Sequence, residues 1–163
     1  MIKYVPELTD VVLEEIPDRV SLAVEIPNCQ GACPGCHSSF LRLDIGKELT
    51  HQAADRLVDE NFGINCFLLL GEGNDREALL SLAAHLRERF PRLELALYSG
   101  RKEVEQDIYD AFDFVKVGPY VSELGPLNSP TTNQRLYYHG KDITSRFWHK
   151  GLEESAAKAD NHD

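Results

Sequence analysis

Three short, almost wholly apolar runs recur along the chain, at residues 64–70, 93–98 and 114–117, and each stops at a turn rich in glycine. Those turns read Gly71-Glu72-Gly73-Asn74, Ser99-Gly100 and Gly118-Pro119. Runs of four to seven apolar residues bounded by such breakers are predicted buried strands. The stretches between them have a different period. Leu79, Leu82, Ala83 and Leu86 mark the inward face of a helix over 75–90, and a weaker helix is expected over 103–112. Upstream, Val20, Leu22, Val24 and Ile26 alternate with Ser21, Ala23 and Glu25, which predicts a strand over 20–26. Thr50 then precedes Ala53, Ala54, Leu57 and Val58, the pattern of an N-cap followed by an apolar helical stripe. Strands alternating with helices in this way build βαβ units around a parallel sheet, so the expected class is α/β.

Right-handed crossovers bring the C-terminal ends of such strands to one edge, where folds of this kind bind their ligands. Asn28-Cys29, Gly71-Glu72-Gly73, Tyr98-Ser99-Gly100 and Gly118-Pro119-Tyr120 should therefore face one another. The remaining segments carry weaker signals. Residues 11–16 suggest a short strand ending at the turn Pro17-Asp18, and 27–40 a loop with no hydrophobic anchor. Residues 121–135 form a polar stretch, 136–143 a small hairpin, and 151–163 a polar tail expected to be disordered. A single domain over 1–150 accommodates all of this, because 163 residues bury enough surface to fold without disulfides.

A net charge of −10 argues against a nucleic-acid partner, since phosphate contacts require clustered Lys and Arg. No apolar run approaches the length of a membrane span, and residues 1–7 lack the basic start and apolar core of a signal peptide, so neither a membrane role nor export is expected. The expected compartment is cytoplasmic. There, cysteines serve more often as metal ligands or catalytic thiols than as disulfide halves.

Three of the four cysteines lie within eight residues, as Cys29-Gln-Gly-Ala-Cys33-Pro-Gly-Cys36-His37. Cys33 to His37 fits a c-type haem attachment site, but Cys29 is then idle and no internal Met offers an axial ligand. A dithiol pair of Cys33 and Cys36 also leaves Cys29 idle. Structural zinc needs a fourth ligand from His37, His51 or Cys66, without the usual second close pair. An iron–sulfur cubane held by three thiolates uses all three cysteines and leaves one iron open for an exogenous ligand. That reading is preferred, with a zinc module as its non-enzymatic alternative. Cys66, inside an apolar run, is expected to be a core residue.

Cys-x3-Cys-x2-Cys after the first strand of a βα repeat resembles the radical S-adenosylmethionine (SAM) superfamily. The string Cys33-Pro34-Gly35-Cys36, the small size, and Gly118-Pro119-Tyr120 followed by Thr132-Asn133-Gln134-Arg135 more narrowly resemble the activating protein of anaerobic ribonucleotide reductase, over residues 11–148. The resemblance implies an incomplete (β/α) barrel of parallel strands carrying a [4Fe–4S] cluster on Cys29, Cys33 and Cys36. SAM would chelate the open iron. One electron, from a donor such as flavodoxin or ferredoxin, would cleave it to methionine and a 5′-deoxyadenosyl radical. That radical would take a hydrogen atom from a backbone glycine of the reductase catalytic subunit. The alternative within the superfamily is action on another protein or a small molecule.

By the same resemblance Gly35 and His37 would lie on the SAM adenine side. Gly71, Glu72 and Gly73 would occupy the loop that receives the SAM amino group. The family usually has Gly-Gly-Asp/Glu in that loop, whereas here the carboxylate stands one place earlier. Tyr98 and Ser99 would approach the ribose, and Asn133, Gln134 and Arg135 would fold back toward the site or the partner. Trp148 is expected to pack the tail onto the domain. His51, His85 and His139 receive no role.

Overall fold

The computed structural model of the protein describes residues 1–27 and 45–148. The first part of the chain forms β1 (Lys3–Tyr4), a 3₁₀ turn (Pro6–Leu8), β2 (Asp10–Val12) and β3 (Ser21–Glu25). Then follow β4 (Lys47–Glu48), α1 (His51–Glu60), β5 (Cys66–Leu70), α2 (Arg76–Arg89) and β6 (Glu94–Tyr98). The chain continues through α3 (Gln106–Ala111), β7 (Phe114–Val117), β8 (Arg135–Tyr138) and β9 (Lys141–Asp142).

Seven strands form one sheet in the order β2-β3-β5-β6-β7-β8-β9. Its centre is the expected parallel array, with Glu25 opposite Leu70, Leu70 opposite Tyr98 and Tyr98 opposite Lys116. The class is α/β as the sequence suggests, but the strands are not all parallel. β2 pairs antiparallel with β3, and β8 and β9 extend the far side antiparallel to β7. The order of the parallel strands never reverses, so the sheet has no internal switch point of the doubly wound kind.

The two faces differ. Leu22, Val24, Phe67, Leu69, Leu95, Leu97 and Val115 pack in one core with Ala54, Leu82, Leu86 and Ile108 of the three helices. Residues of the opposite parity, among them Ala23, Leu68, Ala96 and Phe114, form a second core with Ile16, Leu136 and Ile143, to which none of α1, α2 and α3 contributes a buried residue. β5 is buried on both faces, which is why its sequence Cys-Phe-Leu-Leu-Leu does not alternate. Each large side chain so buried contributes about 1.5–3 kcal/mol.

Thr50 caps α1 as the sequence implies, its hydroxyl accepting from Ala53 N–H at 3.0 Å. Thr50→Ala is expected to lower stability by about 1 kcal/mol, measurable as a shifted urea midpoint with an unchanged slope. The predicted hairpin also forms, turning at His139 (φ 49°) and Gly140 (φ 82°), the left-handed pair of a type I′ turn.

Two boundaries differ from expectation for identifiable reasons. The strand over 11–16 stops at Val12, because the chain bends to bury Ile16 completely in the second core. The helix over 103–112 shortens to Gln106–Ala111, because the Glu105 carboxylate is drawn to Arg101 instead of capping the first turn. The N-terminal pairing of β1 with β4 had no sequence signal.

That pairing brackets the cysteine segment. Val5 N–H donates to Glu25 C=O at 3.0 Å, and Leu49 N–H donates to Ile2 C=O at 2.7 Å. Gly46 lies so close to Tyr4 that a Cβ there would sit 2.3 Å from the Tyr4 carbonyl oxygen. The first five residues thus fasten the chain on both sides of residues 28–44.

Candidate functional site

The parallel register places the C-terminal ends of β3, β5, β6 and β7 along one edge. Cys29, Cys33, Cys36, Gly35 and His37 belong to residues 28–44, outside the described residues, as does the tail 151–163. The chain enters that segment from Pro27, two residues past the end of β3.

At the next strand the backbone turns through Gly71 (φ 131°) and Gly73 (φ 71°). This turn aims Glu72 across to the loop after β6. Arg101 grips the carboxylate in a two-pronged pair, Nε to Oε2 at 2.9 Å and Nη2 to Oε1 at 2.6 Å, and the Ser99 hydroxyl donates to Oε2. The Ser99 hydroxyl also accepts from Arg101 N–H at 3.1 Å. The other side of the guanidinium meets Glu105 at 2.8–3.0 Å. Its hydrogen bonds to Glu105, and then to Glu72, hold the Arg101 proton more firmly than usual. The same contact lowers the Glu105 carboxyl to about 2. Arg101 had no motif to announce it. Its only signal was its position, one residue past Ser99-Gly100 and one strand across from Glu72.

Glu72 and Ser99 are therefore brought together, as the sequence implies, and both oxygens of Glu72 are already engaged. Glu72, Gly73, Arg76 and Arg101 also line a recess of about 360 Å³ outside this edge. Tyr98 is separated from them. It projects from the opposite face of the sheet, where its hydroxyl donates to the Glu15 carbonyl and burial raises its ionisation above the ordinary tyrosine range. Lys116, its neighbour in register, places Nζ 5.4 Å from the Tyr98 ring centre and 3.4 Å from the Ser99 carbonyl oxygen.

At the last parallel strand, Gly118 N–H donates to Arg101 C=O at 2.6 Å, joining this loop to the one before. Asn133 donates to the Pro119 carbonyl at 3.1 Å, and Gln134, nearly buried, donates to that of Gly118 at 3.3 Å. The Asn-Gln pair thus folds back onto the strand edge. Arg135 does not join them. Its guanidinium lies over the Trp148 ring at 5.6 Å, while Trp148 donates to the Leu127 carbonyl at 3.2 Å.

Glu25 ends β3 on the face of the second core, half-buried, and its carboxylate has no hydrogen-bond partner among the described residues. Burial raises that carboxyl above the ordinary value. An acid whose folded pKa exceeds its unfolded one gives up its proton first in the unfolded chain. Stability must then fall as pH rises through the window opening at the unfolded value near 4.5. Glu25→Gln is expected to raise the melting temperature at pH 7 and to flatten that part of the pH profile. An unchanged thermal scan at pH 7 would show that the charge is fully solvated.

Cys66 begins β5, at the opposite edge of the sheet, fully buried, with its thiol pushed up to about 12 by desolvation. It is the core residue the sequence suggests. Among the described residues no group of three or more His, Cys, Asp or Glu is placed to hold a metal ion, and no helix is long and apolar enough to cross a membrane. His51 and His85, which belong to no motif, stack at 4.3 Å on the surface of α1 and α2, where His85 meets Asp55 at 2.7 Å. Comparison with family models, with curated proteins and with solved structures finds no match to this chain.

Proposed function

We propose that the chain is a radical SAM activase, an incomplete (β/α) barrel holding a [4Fe–4S] cluster on Cys29, Cys33 and Cys36. Its substrate protein in this reading is the catalytic subunit of anaerobic ribonucleotide reductase, on which it generates a glycyl radical. The supporting observation is where the cysteine segment leaves the sheet. It starts from the first parallel strand, at the edge where the Gly71-Glu72-Gly73, Ser99 and Gly118 loops also end. Residues 1–5 fasten the chain on both sides of it.

The donor chemistry is consistent with three thiolates and an open iron. Cys66 stands at the other end of a five-residue strand, about 13 Å of rise away, and its buried thiol resists ionisation. A fourth thiolate from this chain would have to come from there, so neither a closed cubane nor a zinc site built on four cysteines suits the chain. When bound, the cluster supplies one electron to the SAM sulfonium, and the electron must come from a low-potential donor protein of the flavodoxin or ferredoxin kind.

The chain's own residues would position and exclude. Gly71 lets the β5 loop lie flat against β3. Arg101 and Ser99 fix Glu72, so the carboxylate acts through an orienting network rather than as a free anion awaiting the SAM ammonium. Asn133 and Gln134 hold the Gly118 loop down. In anaerobically reconstituted protein we expect about four irons and four sulfides per chain and, on mixing with the reductase, SAM and reductant, a glycyl-radical doublet by electron paramagnetic resonance. One colourless zinc per chain, with no sulfide, would reject the reading.

A further inference from the structure

We propose that the free edge of β2, with the exposed apolar side chains beside it, docks an extended, positively charged segment of a partner protein. β2 is the terminal strand of the seven-stranded sheet, and no strand covers its outer side among the described residues. Val12 turns inward and packs on the second core. Val11 and Leu13 turn outward, 40% and 67% exposed, and Leu8 nearby is 41% exposed. Three of the six large exposed hydrophobics among the described residues thus fall within six positions of the chain. The edge is held in place rather than frayed. Ile16 is fully buried just beyond it, and the Tyr98 hydroxyl holds the Glu15 carbonyl.

Charge selects the occupant. Residues 7–18 hold Glu7, Asp10, Glu14, Glu15 and Asp18, and no Lys or Arg. A second copy of this edge would bring five carboxylates against five, and nucleic acids or anionic lipids would be repelled likewise. A polypeptide with apolar residues alternating with Lys or Arg meets both features. Its backbone would add a strand beside β2, its apolar side chains would cover Val11 and Leu13, and its cations would face the acids. The Asp10 carboxylate accepts from Val11 N–H at 2.8 Å, a contact that discourages indiscriminate pairing until a suitable strand displaces it.

The site is independent of the cluster, so iron-free protein suffices for the test and its failure would leave the activase reading untouched. The probe is a fluorescein-labelled twelve-residue peptide alternating Lys and Val, titrated with the full chain at low ionic strength and read by anisotropy. We expect saturable binding that weakens with salt and falls about tenfold or more in V11K/L13K. It should also be lost when alternate peptide nitrogens are methylated, and be absent for a Glu-Val peptide. Where V11K/L13K fails to melt cooperatively, E14Q/E15Q takes its place with the same expected loss. No saturable binding, binding indifferent to N-methylation, or binding untouched by the variants would overturn the proposal. So would a chain that sediments as a dimer broken by V11K/L13K.

Discussion

Alanine in place of any one of Cys29, Cys33 or Cys36 is expected to strip the cluster and to reduce SAM cleavage by on the order of a hundredfold or more. Three thiolates are the minimum that can grip a cubane while leaving one corner open, and the chain has no spare. Cys66 is buried, hard to ionise and at the wrong end of β5, so it cannot substitute. The fold should not suffer to match. The described core is assembled from strands and helices outside residues 28–44, so the melting temperature of the iron-free variants should stay near that of the iron-free wild type. Loss of iron and sulfide with an unchanged apo melt is the expected pair of results. A Cys→Ala variant that keeps its sulfide and activity would contradict it.

Gly71→Ala is expected to cost about 2–4 kcal/mol, or roughly 5–15 °C in melting temperature. Its φ of 131° lies where side-chain-bearing residues scarcely go, and an added Cβ would stand 2.8 Å from the Ile26 carbonyl oxygen. That neighbour is backbone, two residues before the cysteine segment, and cannot rotate aside. Relief would have to come from parting β3 and β5 at their C-terminal ends, where Ile26 N–H donates to Leu70 C=O at 3.2 Å. The same movement would swing Glu72 away from Ser99 and Arg101. The variant should therefore lose SAM affinity as well as stability, which equilibrium dialysis on the folded fraction can measure. A stable Gly71→Ala protein with unaltered SAM binding would show that the β3–β5 junction is not part of the site.

Much of the fold was legible because its elements are made by apolar periodicity. The runs before Gly71, Ser99 and Gly118 became strands, and the stripes beginning at Ala53 and Leu79 became buried helix faces. What stayed hidden depends on contacts between distant residues. β1 and β4 are two residues each and carry lysine, tyrosine and glutamate. No pattern marks such strands, and they exist because Ile2 and Leu49 are buried beside them. The strand begun at Val11 and the hairpin over 136–143 could be read, but their antiparallel pairing onto β3 and β7 could not, since β2 and β8 owe it to neighbours already built.

The candidate site divides similarly. Gly71, Glu72, Ser99 and Asn133 could be singled out from strand-end position and family resemblance, and the register does bring their loops to one edge. Arg101 could not be, because a single arginine after a glycine means nothing until the strand order sets it against Glu72. Tyr98 and Ser99, adjacent in sequence, were expected to act together, yet alternation along β6 sends them to opposite faces.

One measurement bears most directly on the claim that three thiolates leave a metal corner open to SAM. Anaerobically reconstituted protein is reduced with dithionite in the presence of SAM, and 5′-deoxyadenosine is quantified against the Cys36→Ala variant. An open cluster predicts the nucleoside in at least stoichiometric amount from the wild type and none above background from the variant. A wild-type protein that binds iron and sulfide yet forms no 5′-deoxyadenosine, or forms as much without Cys36, would contradict it.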